Sequence, residues 1–210
     1  MDVFPGFSLY VIHQDSAVDR VPLIQRLEQD LGQPITIFKA HEKKDLPDWP
    51  GGLLKGHVGC TDSHVRLLEA ENYFIPIGVF EDDAEVIAPI DDIVKWINEA
   101  PSDWDILLLG TNVNESIIHN HITFSRDGGH HRYVQVSRWY GTHALIIKQN
   151  AALKILKTHA RCMLEGNPLH ADWLYSRATV EHGLVVFAPE KNFVRQKPGL
   201  TSTITGAPRD

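Results

Sequence analysis

The chain has 210 residues, of which 43% are hydrophobic and 22% charged, a composition typical of a globular protein with one domain. The formal net charge of −7 argues against a broad nucleic-acid-binding surface, so no nucleic-acid partner is expected. No apolar stretch approaches the ~20 residues of a membrane-spanning helix, no signal peptide is recognisable and two cysteines are too few for a disulfide framework, so we expect a reduced, cytoplasmic protein.

The first half of the chain alternates predicted strands with predicted helices. Short apolar runs rich in strand-forming residues predict strands over 7–12, 35–40, 75–80 and 105–110. Apolar residues at helical spacing predict helices over 18–31, 59–72 and 91–100, and Gly32 is the stop signal of the first. Residues 45–52 contain two prolines and two glycines and are predicted as a loop.

The second half opens with a predicted hairpin over 121–137, turning at Asp127-Gly128-Gly129. Strands are predicted over 144–148 and 184–188, and helices over 149–164 and 172–181. This alternation favours an α/β fold with a mostly parallel central sheet and flanking helices. In such folds ligands bind beyond the carboxyl ends of the strands.

The strand at 75–80 runs directly into Glu81, Asp82 and Asp83. Adjacent carboxylates repel one another, so the cluster needs a positive partner. Oxygen ligands of this kind suit Mg²⁺ or Mn²⁺, and the implied chemistry is a metal that holds a diphosphate. The alternative is the first turn of a helix, where acids are favoured, because the segment AEVIAPIDDIVKWI follows.

A series of segments resembles, in the same order, glycosyltransferase family 25, the lipooligosaccharide and procollagen galactosyltransferase-like enzymes. These segments are LYVIHQDSAVDRVPLIQRLEQDLG, GHVGCTDSH, GVFEDDAEV, WDILLLG, GTHALIIKQNAALKIL, ADWL and FVRQKPGLTSTI. Together they extend from Ser8 to about Ile204. The chain departs from the family at His13-Gln14, where Asn-Leu is common, and is shorter than many members.

The resemblance implies a GT-A fold that transfers a sugar from a nucleotide diphosphate sugar, usually a UDP-sugar, to an acceptor hydroxyl with inversion. It implies one glycosyltransferase domain over residues 1–210. Residues 1–110 would mainly bind the nucleotide sugar and metal, and 111–200 would form the acceptor side. A glycan or another hydroxyl compound is the expected acceptor.

The resemblance also assigns roles to individual residues. The metal, Mn²⁺ or Mg²⁺, is assigned to Asp83 with help from Asp82 and Glu81, and the catalytic base to Asp172. Contacts to the nucleotide sugar are assigned to His13, Gln14, Arg20, Lys55, Ser63, His64 and Asp82. Contacts to the acceptor or the sugar are assigned to His143, Trp173 and Gln196.

Several of these residues have a second, structural role open to them. Asp172 is predicted at the start of a helix, where it would be a plain N-cap. Arg20 would either bind the diphosphate or pair with a local aspartate. His143 would be a satisfied structural histidine, and Trp139-Tyr140 would be core residues or a sugar-stacking platform.

A serine hydrolase site and a histidine zinc site are two alternatives to sugar transfer, and the sequence supports both less well. A Ser63–His64 hydrolytic pair lacks the nucleophile elbow, and neighbouring residues on a helix point some 100° apart. A zinc site among His119, His121, His130 and His131 lacks firm ligand spacing. The rival functions are a metal-dependent phosphohydrolase of nucleotide sugars and a non-catalytic module that binds them.

Overall fold

The computed structural model describes residues 6–42, 45–46, 55–70, 75–112, 122–128 and 131–200. In the first half, the strands are β1 (Ser8–His13), β2 (Thr36–Lys39), β3 (Ile77–Glu81), β4 (Ala84–Val86) and β5 (Ile106–Leu108). The helices are α1 (Val21–Leu31), α2 (Lys55–Ala70) and α3 (Ile90–Asn98). A 3-10 turn over Val18–Arg20 leads into α1, and Gly32 ends that helix in the left-handed conformation.

The second half contributes the remaining elements. Its strands are β6 (Ile122–Gly128), β7 (His131–Val136), β8 (Ala144–Ile147), β9 (Val186–Pro189) and β10 (Val194–Gln196). Its helices are α4 (Gln149–Leu164) and α5 (Ala171–His182). None of the described helices is long and apolar enough to cross a bilayer.

Eight strands form one sheet in the order β2-β1-β3-β8-β5-β9-β7-β6. The pairings of β1 with β2 and β3, and of β5 with β9, are parallel, and the other four are antiparallel. Six of these strands therefore point the same way, and only β7 and β8 are reversed. The predicted α/β fold with a mostly parallel central sheet and flanking helices is confirmed.

Hydrophobic cores cover both faces of this sheet. Alternate residues of β1 face opposite sides, so Tyr10 and Ile12 join one core while Leu9 and Val11 join the other. Apolar residues of α2, α4 and α5 complete the first core, and those of α1 and α3 complete the second. Because both faces are covered, a ligand has access mainly at the strand ends and their loops.

Two local predictions differ from the structure. Helix α2 begins by Lys55, four residues before the predicted start at Gly59. The acids at 81–83 do not open a helix, because β4 follows them and α3 begins only at Ile90. The helix-start explanation of the acid cluster is therefore wrong.

The hairpin predicted over 121–137 is confirmed by the antiparallel pairing of β6 and β7. His119, Asn120, His121 and His130 lie outside the described residues, as does the side chain of His131. The zinc hypothesis for these histidines stays open. Most of the predicted loop at 45–52 also lies outside them.

Candidate active site

The acid cluster lies where two parallel strands end side by side. Ile12 of β1 is in register with Glu81 of β3, so the residues that follow the two strands meet at one edge of the sheet. His13 therefore lies beside Asp82, and its Nδ1 is 2.8 Å from Asp82 Oδ2. This is the edge at which the sequence predicts a ligand site.

Asp83 has a cation of its own. Its Oδ2 lies 3.6 Å from Nη1 of Arg20, and the two side chains are only 4% and 2% exposed. The Asp83 carbonyl also accepts a hydrogen bond from the backbone N–H of Lys197. Of the two roles open for Arg20, the structure shows the pairing with a local aspartate.

Glu81 is held by neutral donors from distant parts of the chain. Its Oε1 accepts a hydrogen bond from the Thr142 hydroxyl at 2.8 Å, and its Oε2 accepts one from Gln196 Nε2 at 3.3 Å. His64 Nε2 lies 3.7 Å from Oε1. A carboxylate held in this way has a fixed orientation toward the cleft described below.

The pKa values of Glu81 and Asp82 are shifted in opposite directions from their ordinary values. Burial raises the pKa of Glu81, but His64 together with the charge of His143 and the Thr142 hydroxyl outweighs it, so the pKa lies below its ordinary value. For Asp82, burial dominates and raises the pKa despite the opposing effects of His13 and Arg20. As the pH falls, Glu81 therefore keeps its negative charge to a lower pH than Asp82 does.

The segment Gly141–His143 connects the acid cluster to the second half of the chain. Gly141 has φ of +86°, which favours glycine, and its N–H faces Asp172 Oδ2 at 3.5 Å. Thr142 binds Glu81, as described above. His143 is fully buried, and its Nε2 lies 3.4 Å from the Val194 carbonyl. This contact is consistent with the structural role left open for His143.

Strand β10 reaches the cluster because it packs closely on the end of β5. A Cβ at Gly110 would lie 1.9 Å from the Val194 carbonyl oxygen, so only glycine fits there. Strand β10 then pairs with β4, which follows the acids directly. This pairing places Gln196 on Glu81.

Asp172 lies in the first turn of α5 and faces the same region. The N-cap of that helix is His170, so the simple N-cap explanation of Asp172 is wrong. Burial and the negative charges of Glu81, Asp172 and Asp83 raise the pKa of the Cys60 thiol well above its ordinary value. Asp172 and Glu81 are far apart in the sequence, yet the neighbouring residues Gly141 and Thr142 contact one each.

Cys60, His64 and the three acids line a cleft, which we call the acid cleft, whereas Asp172 is not among its described lining residues. Its lining is Ile12, Gln14, Ala40, Gly56, Gly59, Cys60, Ser63, His64, Glu81, Asp82 and Asp83. Gln14 donates through Nε2 to the His41 carbonyl, so it also fixes the loop after β2. Lys55 and Arg20 are absent from the described lining.

The helix residues Ser63 and His64 do not form a pair. The Ser63 hydroxyl donates to the Gly59 carbonyl at 2.6 Å, whereas His64 Nδ1 lies 3.2 Å from the Tyr175 hydroxyl. The structure therefore agrees with the dismissal of a Ser–His hydrolytic pair. His64 instead lies between the Tyr175 hydroxyl and Glu81, with Nε2 3.7 Å from Glu81 Oε1 and therefore too far for a hydrogen bond.

Trp173 follows Asp172 in α5 but is not among the residues that line the acid cleft. It is 56% exposed and lines a neighbouring groove of about 490 Å³, which we call the aromatic groove. Tyr140 and the buried Trp139 line the same groove, together with Arg138, Asn167, Leu169, Ser176, Arg177, Val180 and Glu181. Trp139 is a core residue, and Tyr140 and Trp173 present aromatic surface to solvent.

Two residues of the site were missed by sequence reasoning. Cys60 lies four positions before His64 on α2, a spacing that places both side chains on one face. That spacing was visible in the sequence. Thr142 carried no such signal, because its contact with Glu81 arises only from the pairing of β8 with β3.

The donor set of the acids fits a hard divalent cation. Three carboxylates line the cleft, and ionised oxygens are the preferred ligands of Mg²⁺ and Mn²⁺. A cation there would also oppose the mutual repulsion of these acids, which Arg20 relieves only beside Asp83. Glu81, Asp82 and Asp83 are the residues that would hold it.

No protein-family model and no curated protein sequence matches the chain. Among solved structures, A197 from STIV is 15% identical with a TM-score of 0.47 over 90% of this chain and 83% of that one. Mouse xyloside xylosyltransferase 1, in its apo form, is 9% identical with a TM-score of 0.43 over 86% and 83%. A Bacillus anthracis protein assigned as a glucose-1-phosphate thymidylyltransferase, in complex with sucrose, is 10% identical with a TM-score of 0.47 over 90% and 89%. At TM-scores below 0.5, these likenesses say nothing about the chemistry of this chain.

Proposed function

We propose that the protein is a metal-dependent inverting glycosyltransferase that moves a sugar from a nucleotide diphosphate sugar, a UDP-sugar by preference, to an acceptor hydroxyl. The observation that carries the proposal is that two neighbouring residues contact both groups, since the Gly141 N–H faces Asp172 Oδ2 and the Thr142 hydroxyl donates to Glu81 Oε1. Inverting transfer needs one group that accepts a proton and a separate group that holds the leaving diphosphate. In this proposal Asp172 is the first group and the metal held by the acids is the second.

Each group has a defined task in this proposal. The acceptor oxygen forms a bond to the anomeric carbon as the bond to the UDP oxygen breaks, and the acceptor proton passes to the Asp172 carboxylate. The N–H of Gly141 orients that carboxylate. When bound, Mn²⁺ or Mg²⁺ supplies positive charge that stabilises the departing diphosphate. Thr142 and Gln196 keep Glu81 pointing at the cleft.

The aromatic groove is the proposed acceptor side. It shares Trp173 with the turn of α5 that carries Asp172. Exposed aromatic rings offer flat apolar surface for a sugar ring and a polar atom at one edge. A glycan seated on Trp173 and Tyr140 would therefore present a hydroxyl next to the base.

The first test is calorimetry of UDP binding with and without Mn²⁺. We expect Mn²⁺ to strengthen UDP binding, and Asp83→Asn to remove most of that effect. Glu85→Gln is the matched control, because Glu85 follows the acids by two residues but pairs with Arg195 and Lys197 outside the cleft. Equal UDP affinity with and without metal would exclude a metal bridge.

The second test identifies the products by NMR after incubation with Mn²⁺ and the sugar nucleotide that binds best. A UDP-α-sugar should give free UDP and a β-linked product, or free sugar when no acceptor is present. Sugar 1-phosphate with UMP would instead show a phosphohydrolase. Binding with no turnover toward any hydroxyl acceptor would show a non-catalytic module.

A further inference from the structure

A second cluster in the acid cleft shares Glu81 with the acids but has a different ligand chemistry. Donor atoms of Cys60, His64 and Glu81 all lie within 4.8 Å of one another. Cys60 and His64 come from successive turns of α2, and Glu81 comes from the end of β3. A thiolate, an imidazole and a carboxylate form a ligand set typical of zinc, whereas Mg²⁺ and Mn²⁺ prefer oxygen.

His64 supplies an independent sign of a ligand. Its side chain is 1% exposed, and its Nε2 makes no hydrogen bond within the described part of the chain. Buried polar atoms are nearly always paired, so an orphaned imidazole nitrogen needs an explanation. The nitrogen lies 3.7 Å from Glu81 Oε1, close to the ~3.3 Å that separates two ligands bound at ~2.0 Å in a tetrahedral site.

The surroundings orient these ligands as zinc sites require. The Tyr175 hydroxyl lies 3.2 Å from His64 Nδ1, so an N–H on Nδ1 can donate to it and leave the Nε2 lone pair for a metal. Thr142 holds Glu81 through a hydrogen bond from its hydroxyl to Glu81 Oε1. A metal-binding histidine and carboxylate are usually fixed by such outer contacts.

We propose that Cys60, His64 and Glu81 bind Zn²⁺, with the fourth coordination position facing the acid cleft. On binding, the Cys60 thiol releases its proton to solvent and the thiolate forms the Zn–S bond. One thiolate and one carboxylate balance the charge of the ion. Three protein ligands with one open position are the arrangement of reactive, rather than purely structural, zinc centres. This zinc proposal does not depend on whether the acid cleft binds a nucleotide sugar.

The test uses metal-free full-length protein with Zn²⁺ or Co²⁺ as the only added ion. We expect one equivalent of Zn²⁺ in a chelator competition, and a Co²⁺ complex with a thiolate charge-transfer band. Cys60→Ser should abolish the band and weaken Zn²⁺ binding by on the order of 100-fold. Tyr175→Phe should weaken binding by about 10-fold, the lower end of the loss expected for an outer contact.

The control is Cys162→Ser, which removes the other cysteine, buried in α4. It should keep both the band and the affinity. Excess Mg²⁺ should not displace the Zn²⁺, which separates this site from the oxygen-ligand metal proposed for the acids. A circular dichroism spectrum of each variant confirms that it is folded. Unchanged Zn²⁺ affinity in folded Cys60→Ser, or a Co²⁺ complex without the thiolate band, would overturn the proposal.

Discussion

Arg20 Nη1 lies 3.6 Å from Asp83 Oδ2, and both side chains are buried where a strand ends in three acids. Arg20 belongs to the turn before α1, and Asp83 follows β3, so the pair joins two loops at the same sheet edge. His13 Nδ1 lies 2.8 Å from Asp82 Oδ2 at the same edge. The protein therefore carries part of the positive charge that the acid cluster requires, and it does so away from the open side of the cleft.

Replacing Arg20 with Met should lower the free energy of unfolding by about 3 kcal/mol or more, because a buried carboxylate would lose its partner. Urea denaturation measures the change. The double variant Arg20→Met/Asp83→Leu should recover much of the loss, since no charge is then left unpaired. Arg26→Met is the control, because the Arg26–Asp30 pair is exposed on its arginine side and should contribute less than about 1 kcal/mol. If Arg20→Met and Arg26→Met lower the free energy of unfolding by similar amounts, the buried Arg20–Asp83 pair contributes no more to stability than an exposed pair.

Asp172→Asn should lower transfer by about 10²-fold or more while leaving UDP affinity nearly unchanged, as expected for loss of a general base. Steady-state kinetics and calorimetry on the same sample measure the two quantities. The amide keeps the shape of the side chain and one oxygen that can accept the Gly141 hydrogen bond.

Asp91→Asn is the matched control for Asp172, because Asp91 also lies in the first turn of a helix, α3, and is exposed. The loss of a negative charge near a helix N-terminus costs about 0.3–1 kcal/mol of stability in either variant. Activity should fall only in Asp172→Asn. Near-normal turnover in that variant would remove Asp172 from the mechanism.

Trp173→Ala should raise the KM for a glycan acceptor by about 5-fold, because the exposed ring would no longer offer a stacking surface worth ~1 kcal/mol. The KM for the sugar nucleotide should stay the same, since Trp173 is not among the residues that line the acid cleft. Leu153→Ala on α4 is the control, because Leu153 is similarly exposed but lies outside the groove. A shift of the donor KM instead would place Trp173 on the donor side.

The stability of the protein should fall as the pH drops from about 4.5 toward 2. Partial burial raises the pKa of Glu181, but its contacts with Arg161, Arg177 and Thr158 outweigh this and lower the pKa to about 2 from an ordinary 4.5. A lowered pKa stabilises the folded state above the unfolded-state value, and this contribution is lost as the carboxylate is protonated. Denaturation at a series of pH values should show a smaller fall for Glu181→Gln than for the parent. Glu69→Gln, at an exposed position, should follow the parent curve.

The sequence predicted most of the elements because their patterns are local. The apolar runs at 75–80 and 105–110 became β3 and β5, and the helix at 149–164 has the predicted bounds. Strand β10 escaped prediction because three residues carry too little pattern, and only its pairing with β4 makes it a strand. The acids were misjudged as a possible helix start for the same reason, since β4 is equally short.

The sequence by itself determined the fold class and the acid cluster, because hydrophobic period and residue chemistry are properties of neighbours along the chain, whereas the candidate base came from the family resemblance. Only the tertiary structure decided which charges meet. It paired Arg20 with Asp83, placed Thr142 and Gln196 on Glu81, and gathered Cys60, His64 and Glu81 within reach of one ion. These contacts depend on strand order and on the close approach at Gly110. Charged side chains interact according to their distance in space, and the packing of the whole sheet sets that distance.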